Sequence, residues 1–271
     1  MKKVSLMVLG VYLLAGCGGS SKEESTVKAV FNQAYQENYE TDTLSEILLQ
    51  AKNAYVLVDP FDTSISSHIA DIQINNNSVG GYISAGTGEN YRDDFSELEP
   101  YLTKVAWEDW NDEFFVSETT TGIVSIMKRR IDKMSTWGLD WVEFDNMDWL
   151  DEETRKQYHL KATVKEAKTY INTLCNYTRS KGMKCMAKNT VDGFEKFDGV
   201  LYESFSNNKN WWDIEGTRSF LEANKLVIIN HYNERNCDAV YEAYKSYYKS
   251  DNLSFICEDI SLQKYKHYNT K

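Results

Sequence analysis

Short apolar runs alternate with longer amphipathic segments along most of the chain. Apolar runs of strand length occupy residues 54–59, 79–84, 140–145, 184–188, 199–203, 226–230 and 253–257, with a less distinct one within 104–116. Residues 121–137 and 163–181 repeat apolar side chains at helical spacing and are followed by Gly138 and Gly182, which predicts helices that end at glycine. Eight strand-like runs alternating with helices predict an α/β fold with a parallel sheet, and eight units favour closure into a (β/α)8 TIM barrel.

An open doubly wound sheet is the alternative architecture for the same alternation. The chain contains neither G-x-G-x-x-G nor a P-loop, and the absence of these phosphate-binding signatures weakens that alternative. Residues 27–52 are predicted to form one or two amphipathic helices that precede the first strand. Residues 27–271 have the length of a single barrel domain.

The N-terminus is predicted to be a targeting signal rather than part of the fold. Lys2 and Lys3 precede an apolar run at residues 4–14 that is too short to span a bilayer, and Leu14-Ala-Gly-Cys17 follows. This order resembles the lipobox of bacterial lipoproteins, which are cleaved before a cysteine that is then lipidated. An ordinary secretory signal with an incidental cysteine is the alternative.

The lipobox resemblance divides the chain and implies its location. It implies a signal peptide at residues 1–16, a lipidated Cys17 within a flexible tether at residues 17–26, and one soluble domain held on a membrane by lipid alone. The protein would be an exported lipoprotein of the cell envelope. Gly18 is not the aspartate usual for inner-membrane retention, which favours the outer membrane in a Gram-negative cell.

Net charge and cysteine content limit the classes of ligand that the chain is expected to bind. The formal net charge of −11 argues against nucleic acid and against a polyanionic substrate, and it favours a cationic polymer. Four cysteines besides Cys17 can pair in three ways in an exported chain; they are Cys175, Cys185, Cys237 and Cys257. Because no Cys/His spacing suits a metal and the four histidines are scattered, no metal or cofactor is predicted.

Polar side chains recur where the predicted strands end. The densest group is Asp145-Asn-Met-Asp148, and an isolated group of this kind would also suit a turn that caps the next helix. The other strand ends carry Asp59, Glu89, Arg92, Lys188, Asn189, Glu203 and Tyr232. Ligands of a TIM barrel meet these C-terminal strand ends. Paired carboxylates at that place are typical of enzymes that cleave glycosides, because one donates a proton while the other attacks or stabilises the sugar.

Several of these segments occur in the order found in glycoside hydrolase family 114. They are Val58-Asp-Pro-Phe-Asp62, Gly80-Gly-Tyr-Ile-Ser-Ala-Gly-Thr-Gly-Glu89, Tyr91-Arg-Asp-Asp94, Val142-Glu-Phe-Asp-Asn-Met-Asp148, Ala187-Lys-Asn189 and Tyr202-Glu203. The resemblance covers roughly residues 54–235. It implies a TIM barrel that cleaves α-1,4-linked galactosamine-containing polysaccharide at internal bonds.

The same resemblance implies roles for individual residues. Asp145 is expected to be the nucleophile and Glu203 the acid/base, with carboxyl groups roughly 5–5.5 Å apart if the enzyme retains configuration. Lys188 is expected to keep Asp145 ionised. Substrate contacts are expected from Asn146 and Asn189 to sugar hydroxyls, from Asp59, Glu89 and Asp148 to an ammonium group, and from Arg92 and Tyr232.

Departures from the family pattern leave two other functions open. Phe205 occupies a position where the family has a cysteine, and Asn230-His-Tyr232 lacks the acidic residue usual before the tyrosine. A lipid-anchored carbohydrate-binding protein on a catalytically lapsed barrel is one alternative. A hydrolase of another linkage is the second, since the fold does not determine the substrate.

Overall fold

The computed structural model describes residues 31–33, 42–61, 64–190, 194–205, 214–232, 237–239, 242, 252–258 and 265–269. The expected signal peptide, Cys17 and the tether lie outside these residues. Within them, no helix has the length and apolar character needed to cross a bilayer.

The described strands form one large sheet and one small ribbon. The strands are β1 (Phe31–Gln33), β2 (Tyr55–Val58), β3 (Ser78–Ser84), β4 (Thr87–Glu89), β5 (Glu113–Phe115), β6 (Trp141–Asp145), β7 (Lys184–Lys188), β8 (Gly199–Phe205), β9 (Leu226–Tyr232), β10 (Leu253–Glu258) and β11 (Tyr265–Asn269). The large sheet has the order β1-β2-β3-β6-β7-β8-β9-β10-β11, while β4 and β5 pair as the ribbon. All neighbours in the large sheet are parallel except β10 and β11.

The sheet curls round until β1 approaches β10 and β11, with Cα atoms within 8 Å. Parallel strands, helical connections and curvature make this a TIM-barrel fold, as predicted.

Two of the predicted elements differ from the structure. Residues 104–116 were expected to supply a barrel strand, but their β5 portion pairs antiparallel with β4 outside the large sheet. Within residues 27–52, predicted as helical, Phe31–Gln33 is a strand that pairs in parallel with β2. The helix Asp42–Gln50 therefore connects two strands instead of preceding the first one.

Helices connect most of the parallel strands. They are α1 (Asp42–Gln50), α2 (Ile69–Gln73), α3 (Phe95–Leu98), α4 (Thr121–Trp137), α5 (Glu152–Gln157), α6 (Val164–Ser180) and α7 (Ile214–Glu222). Helix α4 has the predicted bounds, and Gly138 ends it in the left-handed conformation, with φ of 84°. Helix α6 begins with a capping box in which the side chains of Thr163 and Glu166 satisfy each other's backbone N–H groups.

Alternation along the strands separates the barrel interior from the layer beneath the helices. On β2, Tyr55 and Leu57 face inward, while Val56 and Val58 pack against the outer layer. The inward cluster consists of Tyr55, Leu57, Trp141, Met186, Leu201, Ile228 and Ile256. Two residues farther along five of these strands, the same face carries Asp59, Glu143, Lys188, Glu203 and Asn230. The barrel is thus apolar inside and polar at the C-terminal mouth.

Two disulfides lie on the outer side of the barrel strands. Cys175 of α6 bonds to Cys185 of β7, and Cys237 bonds to Cys257 of β10. This selects one of the three pairings that the sequence left open.

Candidate active site

A cavity of about 820 Å³ opens at the C-terminal ends of the barrel strands. Its wall is formed by Asp59, Tyr82, Tyr91, Arg92, Trp107, Asp109, Trp110, Asn111, Asp112, Glu113, Asp145, Asn146, Lys188, Asn189 and Glu203. Side chains from β3, β6, β7 and β8, and Asp59 directly after β2, meet here with residues from the segment that connects β4 to β5 and from the start of β5.

One lysine holds two carboxylates at the base of the cavity. The Lys188 ammonium nitrogen lies 2.8 Å from Asp145 Oδ2 and 3.3 Å from Glu203 Oε1. The lysine side chain is 6% exposed, against 13% for Asp145 and 20% for Glu203. The sequence-predicted pair is therefore brought together around a single buried cation.

The donors around the two carboxyls differ in strength. Asp145 Oδ1 accepts a 2.7 Å hydrogen bond from the backbone N–H of Asn146, so each of its oxygens has a close donor. Glu203 Oε2 accepts a 3.0 Å hydrogen bond from the Asn189 amide, whose oxygen in turn accepts from the Glu203 backbone N–H. Among the described contacts those to Asp145 are the shorter ones, and because shorter charge-assisted contacts are stronger, they favour the anion of Asp145.

Burial disfavours the ionised form of Asp145. Burial raises the pKa of the Asp145 carboxyl above its ordinary value, and the nearby Glu203 acts in the same direction. The Lys188 charge and the hydrogen bonds from Lys188 and Asn146 lower the pKa of Asp145 and so limit the rise. Lys188 is expected to keep Asp145 ionised; its charge acts in that direction, but burial acts more strongly in the opposite one.

Asn146 connects the end of β6 to the ribbon through side-chain hydrogen bonds. Its side-chain amide nitrogen lies 2.9 Å from Ser84 Oγ, 3.0 Å from Thr87 Oγ1 and 2.7 Å from Glu113 Oε2. Asn146 has a φ of 57°, a left-handed conformation that asparagine tolerates better than most residues. The amides of Asn146 and Asn189 thus have protein partners, although sugar hydroxyls were the expected ones.

The glycine at position 86 allows this packing. A Cβ atom there would lie 1.8 Å from the Asn146 carbonyl oxygen and 2.0 Å from Trp149 Cδ1. The glycine-rich turn after β3 therefore lets the backbone that follows Asp145 approach closely.

Arg92 forms a charged wall with Asp59 and Glu89. Its Nε and Nη2 donate to the two Glu89 oxygens at 2.8 and 2.9 Å, and Nη1 lies 2.8 Å from Asp59 Oδ2. Glu89 also accepts from Tyr91 at 2.6 Å and is fully buried. It lies outside the cavity lining, so the geometry does not give Glu89 the contact with a substrate ammonium that was expected; Glu89 instead orients Arg92. Asp59 and Arg92 both line the cavity.

Two expected contact residues are described only in part. Asp148 lies in the 3-10 helix Met147–Leu150, and Tyr232 is the last residue of β9. Their side chains lie outside the described part of the structure.

The segment between β4 and β5 supplies wall residues that the sequence analysis did not single out. They include Trp107, Asp109, Asn111, Asp112 and Glu113. Their signal in the sequence is a run of tryptophan and acidic residues before β5, but this segment does not follow a barrel strand. Two aromatic side chains of the cavity wall are well exposed, Tyr91 at 61% and Trp110 at 56%. In the described residues, no three His, Cys, Asp or Glu side chains are grouped as metal ligands.

Known glycoside hydrolases resemble this chain in sequence or in fold. The model of the glycoside-hydrolase family GH114 matches residues 20–271. Aspergillus fumigatus Ega3, solved in complex with galactosamine, is 21% identical, with 89% of this chain and 94% of that chain covered and a TM-score of 0.69. The glycoside hydrolase domain of PelA from Pseudomonas aeruginosa is 15% identical, with 89% and 98% covered and a TM-score of 0.59. These two structures share the fold of this chain. No curated protein sequence matches it.

Proposed function

Because the chain belongs to glycoside-hydrolase family GH114, we propose that it cleaves an α-1,4-linked galactosamine-containing polysaccharide with Asp145 and Glu203. The observation that carries the proposal is the Lys188 nitrogen within 3.3 Å of both carboxylates at the mouth of the barrel. A glycosidase needs two carboxyl groups on opposite sides of the scissile bond, one ionised and one protonated. A single cation between two buried carboxyls favours that division, because it neutralises one negative charge and leaves the other site to hold a proton.

The reaction follows from this division. The Asp145 carboxylate attacks the anomeric carbon, the bond to the leaving oxygen breaks, and the Glu203 proton moves to that oxygen. Glu203 then removes a proton from water, which attacks the anomeric carbon and releases Asp145. Asp145 is assigned as the nucleophile because its two oxygens have the shorter donor contacts, at 2.8 and 2.7 Å.

Retention of configuration is supported by the shared lysine. Asp145 Oδ2 and Glu203 Oε1 both contact Lys188 Nζ, so they are no farther apart than the sum of 2.8 and 3.3 Å. That limit on one oxygen pair admits the roughly 5–5.5 Å separation of carboxyl groups found in retaining enzymes, and this supports retention. The proposed stereochemical outcome is therefore retaining.

The charge of the cavity supports a cationic amino-sugar polymer. Six carboxylates line it against two cations: the carboxylates are Asp59, Asp109, Asp112, Glu113, Asp145 and Glu203, and the cations are Arg92 and Lys188. The exposed rings of Tyr91 and Trp110 extend the wall outward with faces on which sugar rings can stack. A wall that continues past the carboxylate pair suits internal cleavage of a long chain. A lipid on Cys17 would hold the domain at the cell envelope close to such polymers.

Measurement of new reducing ends tests the proposal. The purified protein is incubated with partially deacetylated poly-α-1,4-galactosamine, alongside Glu203→Gln, Asp145→Asn and the matched control Glu99→Gln. Glu99 is an exposed carboxylate outside the cavity. Release by the wild type and the control, with at least a hundredfold less from the two cavity variants, is the expected result.

The alternatives predict other outcomes. Binding of the polymer without release would indicate a carbohydrate-binding protein on a lapsed barrel. Neither binding nor release would reject this polymer as the substrate and leave the hydrolase of another linkage. Proton NMR of the first-formed anomer from a cleaved oligomer tests retention, and an initial β-anomer would contradict it.

A further inference from the structure

A third carboxyl group, Glu113, enters the cavity from the ribbon. It is the first residue of β5, 8% exposed, and lines the cavity together with Asp145. Its Oε2 accepts hydrogen bonds from the Thr87 hydroxyl and, at 2.7 Å, from the Asn146 amide. These two donors fix the orientation of the carboxyl group without using its second oxygen.

The second oxygen opens onto the cavity. Glu113 Oε1 accepts no hydrogen bond from any residue that the structure describes, and it is not sealed from solvent. Since this oxygen has no partner among the described residues to give up, a donor group of a ligand in the cavity can hydrogen-bond to it. Glu113 is therefore held in one orientation, with one oxygen left for contact with substrate.

Burial, with the charges around Glu113, brings the pKa of its carboxyl group near neutrality. Burial raises the pKa of Glu113 to about 7, and Glu89 and Asp145 add to the rise, while the Thr87 hydrogen bond and the Lys188 charge lower it. The other charged groups of the cavity wall are Asp59, Arg92, Asp109, Asp112 and Glu203. Both forms of the carboxyl group are thus populated between roughly pH 6 and 8.

The two forms suit different nitrogen substituents of a sugar. An ionised carboxylate accepts from an ammonium group, whereas a protonated carboxyl donates to the carbonyl oxygen of an acetamido group. We propose that Glu113 contacts the nitrogen substituent of the bound sugar and selects between its amino and acetamido forms. This role rests on the proposed function, because it takes an amino-sugar polymer as the substrate.

Paired substrates test the assignment. The ratio of kcat/KM for a fully deacetylated over a fully N-acetylated galactosamine oligomer is measured at pH 5.5 and pH 8 for the wild type and Glu113→Gln. Glutamine keeps an oxygen for Thr87 and Asn146 but cannot ionise. The sugar amine titrates in the same way with either enzyme. Dividing the wild-type ratio of kcat/KM values by that of the variant therefore leaves only the effect of Glu113.

The expected result is a wild-type preference for the deacetylated oligomer that exceeds that of Glu113→Gln by about tenfold at pH 8 and falls to about equality at pH 5.5. Glu99→Gln is the control, since it removes an exposed charge outside the cavity and should leave the preference unchanged. An unchanged preference in Glu113→Gln, or the same shift in Glu99→Gln, would overturn the contact.

Binding separates this proposal from the proposed function. Dissociation constants for the same two oligomers are measured by calorimetry in the Glu203→Gln background, with and without Glu113→Gln. A Glu113-dependent preference in binding, without cleavage by the wild type, would retain the contact and reject hydrolysis. Cleavage by the wild type without such a preference would retain hydrolysis and reject the contact.

Discussion

The Lys188 ammonium lies 2.8 Å from the Asp145 carboxylate inside the mouth of the barrel, where the lysine side chain is only 6% exposed. Adjacent parallel strands β6 and β7 carry the two residues, so the contact is fixed by the sheet rather than by a mobile loop. Glu203 approaches the same nitrogen from β8. Lys188 therefore controls the charge of Asp145 and contacts Glu203 as well.

Replacing Lys188 with methionine tests that control. Loss of the ammonium removes the main influence that lowers the pKa of Asp145, so this carboxyl should hold its proton to higher pH. We expect kcat to fall by about a hundredfold and the acidic limb of the pH–rate profile to move upward. Lys184→Met, an exposed position at the start of the same strand, should leave both unchanged. A Lys188→Met enzyme with a wild-type profile would refute the electrostatic role.

Gly86→Ala should damage the site without touching a carboxylate. The new Cβ would lie 1.8 Å from the Asn146 carbonyl oxygen, and backbone cannot move aside as a side chain can. We expect a loss of about 1–3 kcal/mol in the free energy of unfolding, with a fall in kcat as Asn146 shifts. Gly88→Ala is the control, because there only the flexible Leu102 side chain is in the way. Urea denaturation and initial rates measure both, and equal effects of the two substitutions would contradict the explanation.

The disulfide between Cys175 and Cys185 should contribute measurably to stability. It closes a loop of 10 residues between α6 and β7, and both cysteines are buried. Replacing both with alanine should lower the free energy of unfolding by about 2–3 kcal/mol. Mass spectrometry of peptides from the unreduced protein checks the pairing, and a Cys175–Cys237 peptide would show that the connectivity is wrong.

Sequence periodicity predicts the barrel well where an element is long or fully apolar. Helix α4 and strand β7 have the predicted bounds, because a helical repeat ending at Gly138 and a buried run bounded by polar residues are strong local signals. Strand β1 has only three residues, and its pairing with β2 depends on contacts more than twenty residues away. A local amphipathic pattern cannot reveal such a pairing.

The site residues also divide into those that a local sequence pattern reveals and those that tertiary contacts place. Asp145, Lys188 and Glu203 could be predicted because inward alternation carries them to one end of neighbouring strands. Glu113 could not, since it reaches the cavity from an antiparallel ribbon whose pairing is set by tertiary structure. The sequence predicts that Glu89 contacts substrate. It cannot reveal that Arg92 covers Glu89, because that contact depends on side-chain packing rather than on sequence position.

Glu143 provides the last prediction, because it is a fully buried carboxyl at the mouth of the barrel whose oxygens have no hydrogen-bond partner among the described residues. Burial raises its pKa well above the ordinary value, and Asp145 and Glu203 add to the rise against the opposing charge of Lys188. The folded protein therefore keeps this proton to higher pH than the unfolded chain, which releases it above about pH 4.5. Because the folded state binds the extra proton, this carboxyl lowers the free energy of unfolding as pH rises above that value.

Glu143→Met should remove that part of the pH dependence. Near pH 5 the variant should match the wild type within about 1 kcal/mol, and at pH 8 it should be more stable by roughly 1–3 kcal/mol, because an apolar side chain of similar length replaces an unpartnered carboxyl. Urea unfolding with intact disulfides at the two pH values measures both quantities, and Glu152→Met serves as the exposed control. A variant that is less stable at both pH values would mean that Glu143 is held by favourable contacts and that its burial is not a cost to the fold.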